Sequence, residues 1–594
     1  MSEDCNLKVQ EAVPVGLSSA NDRVCQVLNT AKVALESGRL QQAIDLVDDR
    51  TLEFVSDIVE RDPSRKNLLF ELAEILWKTG RESQAEKCYE KILALGPDAA
   101  AYNKLGSLCQ YMGRIHQALQ CQRKAVEAEP DRPELWANLA RVLMEAGDMQ
   151  EGIDLLRKAL KAMPGNAQAH SNLLFRLHQL PNLDPQNLFE EHRQWGRIHA
   201  PPALAAPSHD NVPDIDRKLR VGYISPDFRR HSVAYFFESL LDGHDRRAVE
   251  LHGYGSVEFP DQVTERLKEK FDFYRDIRNM GDTEAAGLIT RDRIDILVDL
   301  AGHVGDNRLL VLARKPAPIQ VTYLGYPDTT GVNAIDYRLT DMLADLPQAQ
   351  KFHTEEVVFL PEGFLCYRPP DFAPPVAPLP ADEKGHVTFG TFNNNCKINP
   401  VVGKIWAEVL ASVPGARLLL KLKGGDAPEL RDQYTRRFEG WGVDSGRIQI
   451  CGWKSPDQHL QLYGQIDIAL DTYPYNGTTS TCEALWMGVP VISLVGQCHA
   501  SRVGLSILNR IGLEFFAAST PGEYVAKAVS LATSAQALRR IRNSMRARIA
   551  ASGLCYAKGF ARYVEAAYRQ MWRRWCQRRR LLRTGDAHGQ GRGL

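Results

Sequence analysis

The sequence carries no net charge to speak of: 73 Lys and Arg stand against 73 Asp and Glu in 594 residues. No global field therefore points to nucleic acid or an anionic membrane surface as a partner. No run of about eighteen uncharged apolar residues occurs, the least that a membrane-spanning helix needs. The opening MSEDCNLKVQEAVPVG is acidic and polar, without the apolar core of a signal peptide. The 12 cysteines are scattered, with no CxxC pair and no Cys/His spacing suited to zinc. In so long a chain they read as reduced thiols. These absences lead us to expect a soluble, cytoplasmic protein with no bound metal. What is present is ordinary for globular protein, 44% apolar and 25% charged residues, and the length implies several domains.

The most regular signal is a period of about 34 residues. In YNKLGSLCQYMGRIHQALQCQRKAVEAEP (102–130), Leu105-Gly106, Gly113, Ala118, Ala125 and Pro130 fall where a tetratricopeptide repeat places them. The next copy supplies Trp136, Leu139-Ala140, Gly147, Ala159 and Pro164, the preceding one Leu72-Ala73, Gly80, Ala85, Tyr89 and Pro97. An earlier copy surrounds Gly38 and Ala43, and a degenerate one is expected near 168–180. Small residues let two antiparallel helices approach, and one such pair cannot bury its apolar face alone. The array over 1–180 is expected to bind protein or peptide in its concave surface, or to serve as a scaffold or homodimerisation arm.

Beyond residue 181 the period stops. An amphipathic helix at 186–200 and a Pro/Ala-rich stretch form a connector over 181–217. From 218 the pattern changes to short apolar runs separated by helix-like segments: LRVGYI (219–224), LHGYG (251–255), DILVDL (295–300) and IQVTYLGY (319–326). A second set follows: VTFGTF (387–392), RLLLKL (417–422), RIQICG (447–452), DIALDT (467–472) and PVISLVG (490–496). Such alternation predicts parallel sheets built from βαβ units. Two Rossmann-like lobes are expected, over 218–370 and 386–577, with the Pro-rich 367–385 as hinge and ligands bound between the carboxyl ends of the sheets. The basic, Gly/Arg-rich 578–594 is expected to be a disordered tail.

Chemistry concentrates in three places. In DTYPYNGTTSTCEALWMGVP (471–490) a strand end is followed by Thr478, Thr479 and Ser480 at a helix start. Their hydroxyls and the free N–H groups suit a diphosphate, or form an ordinary N-cap. Glu483, in the first turns of the helix, suits ribose hydroxyls. FNNNCKINP (392–400) offers amides at Asn393, Asn394 and Asn395, and a cation at Lys397 that would neutralise a leaving diphosphate. His231, just beyond the first strand of the first lobe, is placed as general base or positioning group. The polar strand ends DLAGHVGDNR and GYPDTTG put His303, Tyr326, Pro327 and Thr330 on the acceptor side of the cleft.

Together, LRVGYISPDFRRHSVAYF, RKPAPIQVTYLGYPDTTG with IDYRLTD, FGTFNNNCKI and the 471–490 segment resemble the O-linked N-acetylglucosamine transferase family, including its SPINDLY branch. The resemblance covers nearly the whole chain. It implies a tetratricopeptide array followed by a two-lobed catalytic region of the GT-B type, inverting and metal-independent, that glycosylates Ser/Thr of polypeptides. It also implies that Lys397, Thr478, Thr479 and Ser480 hold the diphosphate, Glu483 the ribose and His459 the base, with His231 as the active-site histidine of the first lobe. Animal-type members carry histidine and aspartate where this sequence has Thr478 and Glu483, as SPINDLY proteins do. Because plant SPINDLY transfers fucose, the expected donor is UDP-GlcNAc or GDP-fucose. The competing expectation is a non-catalytic repeat scaffold that senses a nucleotide sugar.

Overall fold

The computed structural model describes residues 20–37, 39–201 and 209–589. It divides into two compact units, Met1–Ala162 and Met163–Leu594.

Among its described residues the first unit is built of helices, and the later ones form regular pairs, among them Ala99–Tyr111 with Ile115–Ala128 and Pro133–Ala146 with Met149–Ala162. Gly113 and Gly147 sit between the two helices of their pairs at φ 77° and 95°, a backbone conformation that a side chain resists. The small residues that carry the repeat signal are buried where helices meet: Ala73, Ala85, Ala118 and Ala140 have no exposed surface. A Cβ on Gly106 would lie 2.7 Å from the Gln122 amide on the paired helix, so the packing depends on its absence. The last five residues of the chain and the first nineteen lie outside the described residues.

The second unit opens with helices Ala167–Leu177 and Pro185–His199. The degenerate repeat expected near 168–180 thus falls in this unit. Two fully parallel sheets follow. The first joins Leu219–Ser225 (β1), Val249–Gly255 (β2), Phe273–Asp276 (β3), Ile296–Asp299 (β4), Ile319–Thr322 (β5), Tyr337–Thr340 (β6) and Glu356–Phe359 (β7) in the order β3-β2-β1-β4-β5-β6-β7. The second joins Thr388–Thr391 (β8), Arg417–Lys421 (β9), Ile448–Cys451 (β10), Ile468–Leu470 (β11), Val491–Leu494 (β12) and Ala517–Ala518 (β13) in the order β10-β9-β8-β11-β12-β13. Strand order reverses between β1 and β4 in one sheet and between β8 and β11 in the other. Doubly wound sheets bind ligands outside the carboxyl ends of their strands at such points.

The chain passes between the lobes twice, and the two crossings touch: the Tyr367 N–H donates to the Leu554 carbonyl at 2.8 Å. The closing helix, Ala557–Gly589, returns to the first lobe. There the Tyr568 and Tyr223 hydroxyls meet at 3.3 Å, Glu565 pairs with His244 at 2.8 Å, and the Trp572 indole N–H donates to the Asp214 carbonyl at 2.8 Å. This helix is continuous through 578–589, where composition predicts a disordered tail. Arg and Leu, which fill 578–583, are good helix formers, and they extend a helix already anchored by buried Tyr568, Trp572 and Cys576. Among the described residues no helix is long and apolar enough to cross a membrane.

Candidate functional site

A cavity of about 550 Å³ lies between the lobes of the second unit. His231, Val233 and Phe236 wall it from the segment after β1, Leu324 and Pro327 from beyond β5, and Asn393, Asn394 and Lys397 from beyond β8. Thr478, Thr479, Ser480 and Glu483 enter from beyond β11, and His459 from beyond β10. The residues that the resemblance assigns to a nucleotide sugar therefore face one space, opposite the histidine of the other lobe, while Asn395 turns away to bond the Lys423 N–H and carbonyl at 2.8 and 2.9 Å.

Lys397 ends a 3-10 turn, Asn395–Lys397, started by the Asn394 side chain, which accepts the Cys396 N–H at 3.1 Å. Its Nζ donates to the Asn476 carbonyl at 2.8 Å and lies 4.2 Å from the centre of the Tyr475 ring. Burial draws this ammonium down to about 8, against the pull of the Asp471 carboxylate. The side chain reaches the cavity, but its surroundings do not replace the water that a cation wants.

Asp471 is the hub of the loop beneath. It is buried and accepts the Gly477 N–H at 2.7 Å, the Thr472 N–H at 2.8 Å and the Ser493 hydroxyl at 2.6 Å. Burial lifts its carboxyl to about 6, with Ser493, Gly477 and Lys397 acting against the rise. The bond to Gly477 fixes the turn from which helix Thr479–Trp486 starts. No side chain caps that helix, so the N–H groups of its first turn remain for a ligand. Ser480 Oγ donates to Asn393 Oδ1 at 2.8 Å, tying the β8 and β11 loops together. A Cβ on Gly477 would lie 2.3 Å from Ser480 Oγ and 2.8 Å from Asn393 Oδ1. The helix mouth, one cation and a row of hydroxyls thus offer the charge and donors that an anion would need.

At the far end, Glu483 Oε2 faces His459 Nε2 at 3.0 Å, and Lys421 Nζ lies 2.9 Å from His459 Nδ1. With both nitrogens engaged inside the protein, His459 offers a ligand its ring. Phe392 and Tyr463 pack against that ring at 5.8 and 5.4 Å between centres. His231 lies across the cavity, its Nδ1 3.5 Å from the buried Asp227 carboxylate. Burial lowers its proton affinity, opposed by Asp227 and aided by Arg229, so it is neutral at neutral pH.

Of the four residues expected on the acceptor side, only Pro327 borders the cavity. His303, Tyr326 and Thr330 are buried and bonded elsewhere. His303 lies 2.9 Å from the Ser171 hydroxyl and 2.8 Å from the Thr330 carbonyl. Tyr326 Oη lies between His192 Nε2 at 2.7 Å and His178 Nε2 at 3.1 Å. Thr330 gives both its N–H and its hydroxyl to Glu355. These polar strand ends are roofed by helices Ala167–Leu177 and Pro185–His199, so their polar groups satisfy one another. Among the described residues, His178, His192 and Asp328 also form a group whose possible ligand atoms lie within 4.8 Å of one another. None of the three lines the cavity.

Sequence reasoning missed Lys421, Tyr475, Asp471 and Phe175, which form or support the cavity wall. It also missed His499, a cavity residue whose Nδ1 is 2.7 Å from Asp345 Oδ2. Burial would raise the Asp345 carboxyl, but facing His499 and Arg338 hold it below the usual carboxylate range. Lys421 ends the strand RLLLK, whose three leucines mark only a buried strand, and Phe175 lies far upstream on a helix.

Two doubly wound lobes that face one cleft define a two-lobed α/β protein of the Rossmann-like kind. The family model for glycosyl transferase family 41 matches residues 198–368 and 378–564, and the chain belongs to that family. A tetratricopeptide repeat model matches 34–109 and 111–174. The probable UDP-N-acetylglucosamine–peptide N-acetylglucosaminyltransferase SPINDLY of Hordeum vulgare is 42% identical over 418 residues, 70% of this chain and 44% of that protein. The Arabidopsis thaliana protein of the same name is 41% identical over 426 residues, 70% of this chain and 46% of its own length. The chain thus spans less than half the length of these curated relatives. A solved structure of a mutant Thermobaculum terrenum O-GlcNAc transferase is 36% identical, with a TM-score of 0.83, covering 87% of this chain and 99% of that one.

Proposed function

We propose that this protein is an inverting, metal-independent O-glycosyltransferase that moves a sugar from a nucleotide diphosphate donor, UDP-GlcNAc or GDP-fucose, to Ser/Thr hydroxyls of polypeptides presented by the repeats. One observation carries the reading: Lys397, the uncapped helix mouth at Thr478–Ser480 and the Glu483–His459 pair share one cavity with His231 of the opposite lobe.

In this reading the diphosphate lies against Lys397 and the first-turn N–H groups, the ribose against Glu483 and the base against the His459 ring. The acceptor hydroxyl attacks the anomeric carbon from the side opposite the diphosphate. The bond from that carbon to the diphosphate oxygen breaks, and the oxygen keeps the electron pair. Lys397 and the helix mouth stabilise this growing charge from fixed positions, the task that a metal performs in other enzymes. His231, neutral through burial, receives or orders the proton of the hydroxyl.

The test combines binding with transfer. Thermal shifts with UDP-GlcNAc and GDP-fucose identify the donor, since a ligand of the native state raises its melting temperature. Labelled donor should then leave sugar on protein Ser/Thr, and Lys397→Ala should abolish that transfer while the protein stays folded. Near-normal turnover in the variant would remove the assignment. Tight donor binding with no transfer by the wild type would favour a sensor.

A further inference from the structure

His459 is held at both nitrogens and on its edges. Nε2 faces Glu483 at 3.0 Å, Nδ1 faces Lys421 Nζ at 2.9 Å, and Phe392 and Tyr463 pack against the ring. An ammonium has three donors and no acceptor. Its bond to Nδ1 therefore requires that nitrogen to carry a lone pair, which leaves the ring proton on Nε2, directed at the Glu483 carboxylate.

We propose that Lys421 is a positioning residue for the donor nucleotide: by donating to His459 Nδ1, opposite the Glu483 carboxylate on Nε2, it anchors the imidazole at its second nitrogen, and so sets both the plane of the ring and the orientation of Glu483. This deepens the nucleotide-sugar reading of the same cavity and rests on it for its functional consequence. Lys421 does not line the cavity. It acts through His459, which does.

The fold makes Lys421 suitable. It ends β9, paired in register with Cys451 of β10, so its backbone is fixed by the sheet while the half-buried side chain reaches across to the helix Pro456–Leu462 that carries His459. Burial lowers its proton affinity and nearby Lys454 adds to this, while Glu483 works against both. The charged groups around the imidazole are thus Lys421 and, behind it, Lys454 on one side, and Glu483 on the other. Tyr463, whose hydroxyl lies 3.5 Å from the same Glu483 oxygen, and the Cys451 thiol are further titratable neighbours, and Tyr235 and Tyr367 face Glu483. Without Lys421 the Glu483 carboxylate, which can only accept, still keeps the proton on Nε2, but Nδ1 loses its donor and the ring its second anchor.

The experiment uses the full chain with ¹⁵N-labelled histidine, in wild type, Lys421→Met, Lys421→Gln and Lys421→Arg, and reads two signals. The first is the ¹⁵N shift pattern of His459, assigned by loss of its signals in His459→Gln. Wild type should show a bare Nδ1 and a protonated Nε2. The Met variant should keep the proton on Nε2 but move the Nδ1 signal downfield, as a lone pair that has lost its hydrogen-bond donor does, and the Arg variant should restore the wild-type shift. The second is calorimetric affinity for UDP and GDP. The nucleotide that binds wild type should bind the Met and Gln variants at least about tenfold more weakly, as loss of a charged hydrogen bond implies, with Arg recovering most of it. Should Met fail to fold, the Gln variant carries the test. An unmoved Nδ1 shift in folded Met or Gln protein overturns the proposal, and so does undiminished nucleotide affinity. If neither nucleotide binds wild type, the donor reading of the cavity fails, while the Nδ1 shift still decides what Lys421 does to His459.

Discussion

Lys397 carries a charge that the protein alone hydrates poorly, and an incoming diphosphate changes that balance. Its ammonium titrates near 8 in the free site, below the ordinary lysine range. The sign follows directly. Below about 8 the cation is present and an anion is welcomed; as pH rises through that value the free site loses its charge, and binding must first recover a proton. Affinity for nucleoside diphosphate should therefore decline by up to about tenfold per pH unit above 8. Calorimetry at pH 8.5 in buffers of different ionisation enthalpy should register proton uptake. Lys397→Arg, charged throughout, should lose that pH slope. Across the cavity, His231→Ala should lower kcat by roughly a hundredfold or more with little change in donor affinity, measured in steady-state transfer assays. The residues legible in the sequence are those whose chemistry is local, a lysine in an Asn-rich turn and hydroxyls at a helix start. His303, Tyr326 and Thr330 deceived because two of them bond to groups that lie elsewhere in the chain: Ser171 is 132 positions from His303, and His178 is 148 from Tyr326. No short motif reveals a roof laid over a polar loop.

The long apolar runs were legible as strands, while short strands were missed even where apolar, as in β7, EVVF. The runs near 219, 251, 295 and 319 in one lobe, and 387, 417, 447, 467 and 490 in the other, all contain strands. β3, FYRD, escaped because it is an edge strand with mostly exposed side chains. β6, YRLT, hid behind a buried arginine, Arg338, which donates to the Tyr326 and Asp328 carbonyls at 3.0 and 2.9 Å. Satisfaction by carbonyls lets so polar a residue occupy a sheet interior. Helix Pro185–His199 meets the first lobe at one close point: a Cβ on Gly196 would sit 1.9 Å from the Gly331 carbonyl oxygen. Gly196→Ala must push the helix away, which should cost about 2 kcal/mol. A lower melting temperature by several degrees, with unchanged donor affinity in the folded protein, is the expected result.

On the scale of the second unit, buried imidazoles fasten helices Ala167–Leu177 and Pro185–His199 to the first lobe. Burial lowers His178 to about 3, and His192 and His303 shift the same way for the same reason. Each has a folded-state proton affinity below that of the unfolded chain. Stability from these groups is full above about pH 6.5 and is lost as pH falls, because the unfolded chain takes up protons first. Between pH 6.5 and 5 His178 alone should account for about 2 kcal/mol. Thermal melts across that interval should fall steeply, and more gently in His178→Gln.

The two chain crossings, joined where the Tyr367 N–H meets the Leu554 carbonyl, are not the lobes' sole attachment: from the second lobe Arg502 donates to the Leu343 carbonyl at 2.8 Å, Ser506 to Asp341 at 2.6 Å, and His499 meets Asp345 at 2.7 Å. The cavity wall that holds His499 is thus stitched directly to the lobe that carries His231, so a substitution at Asp345 reaches the site without touching any ligand.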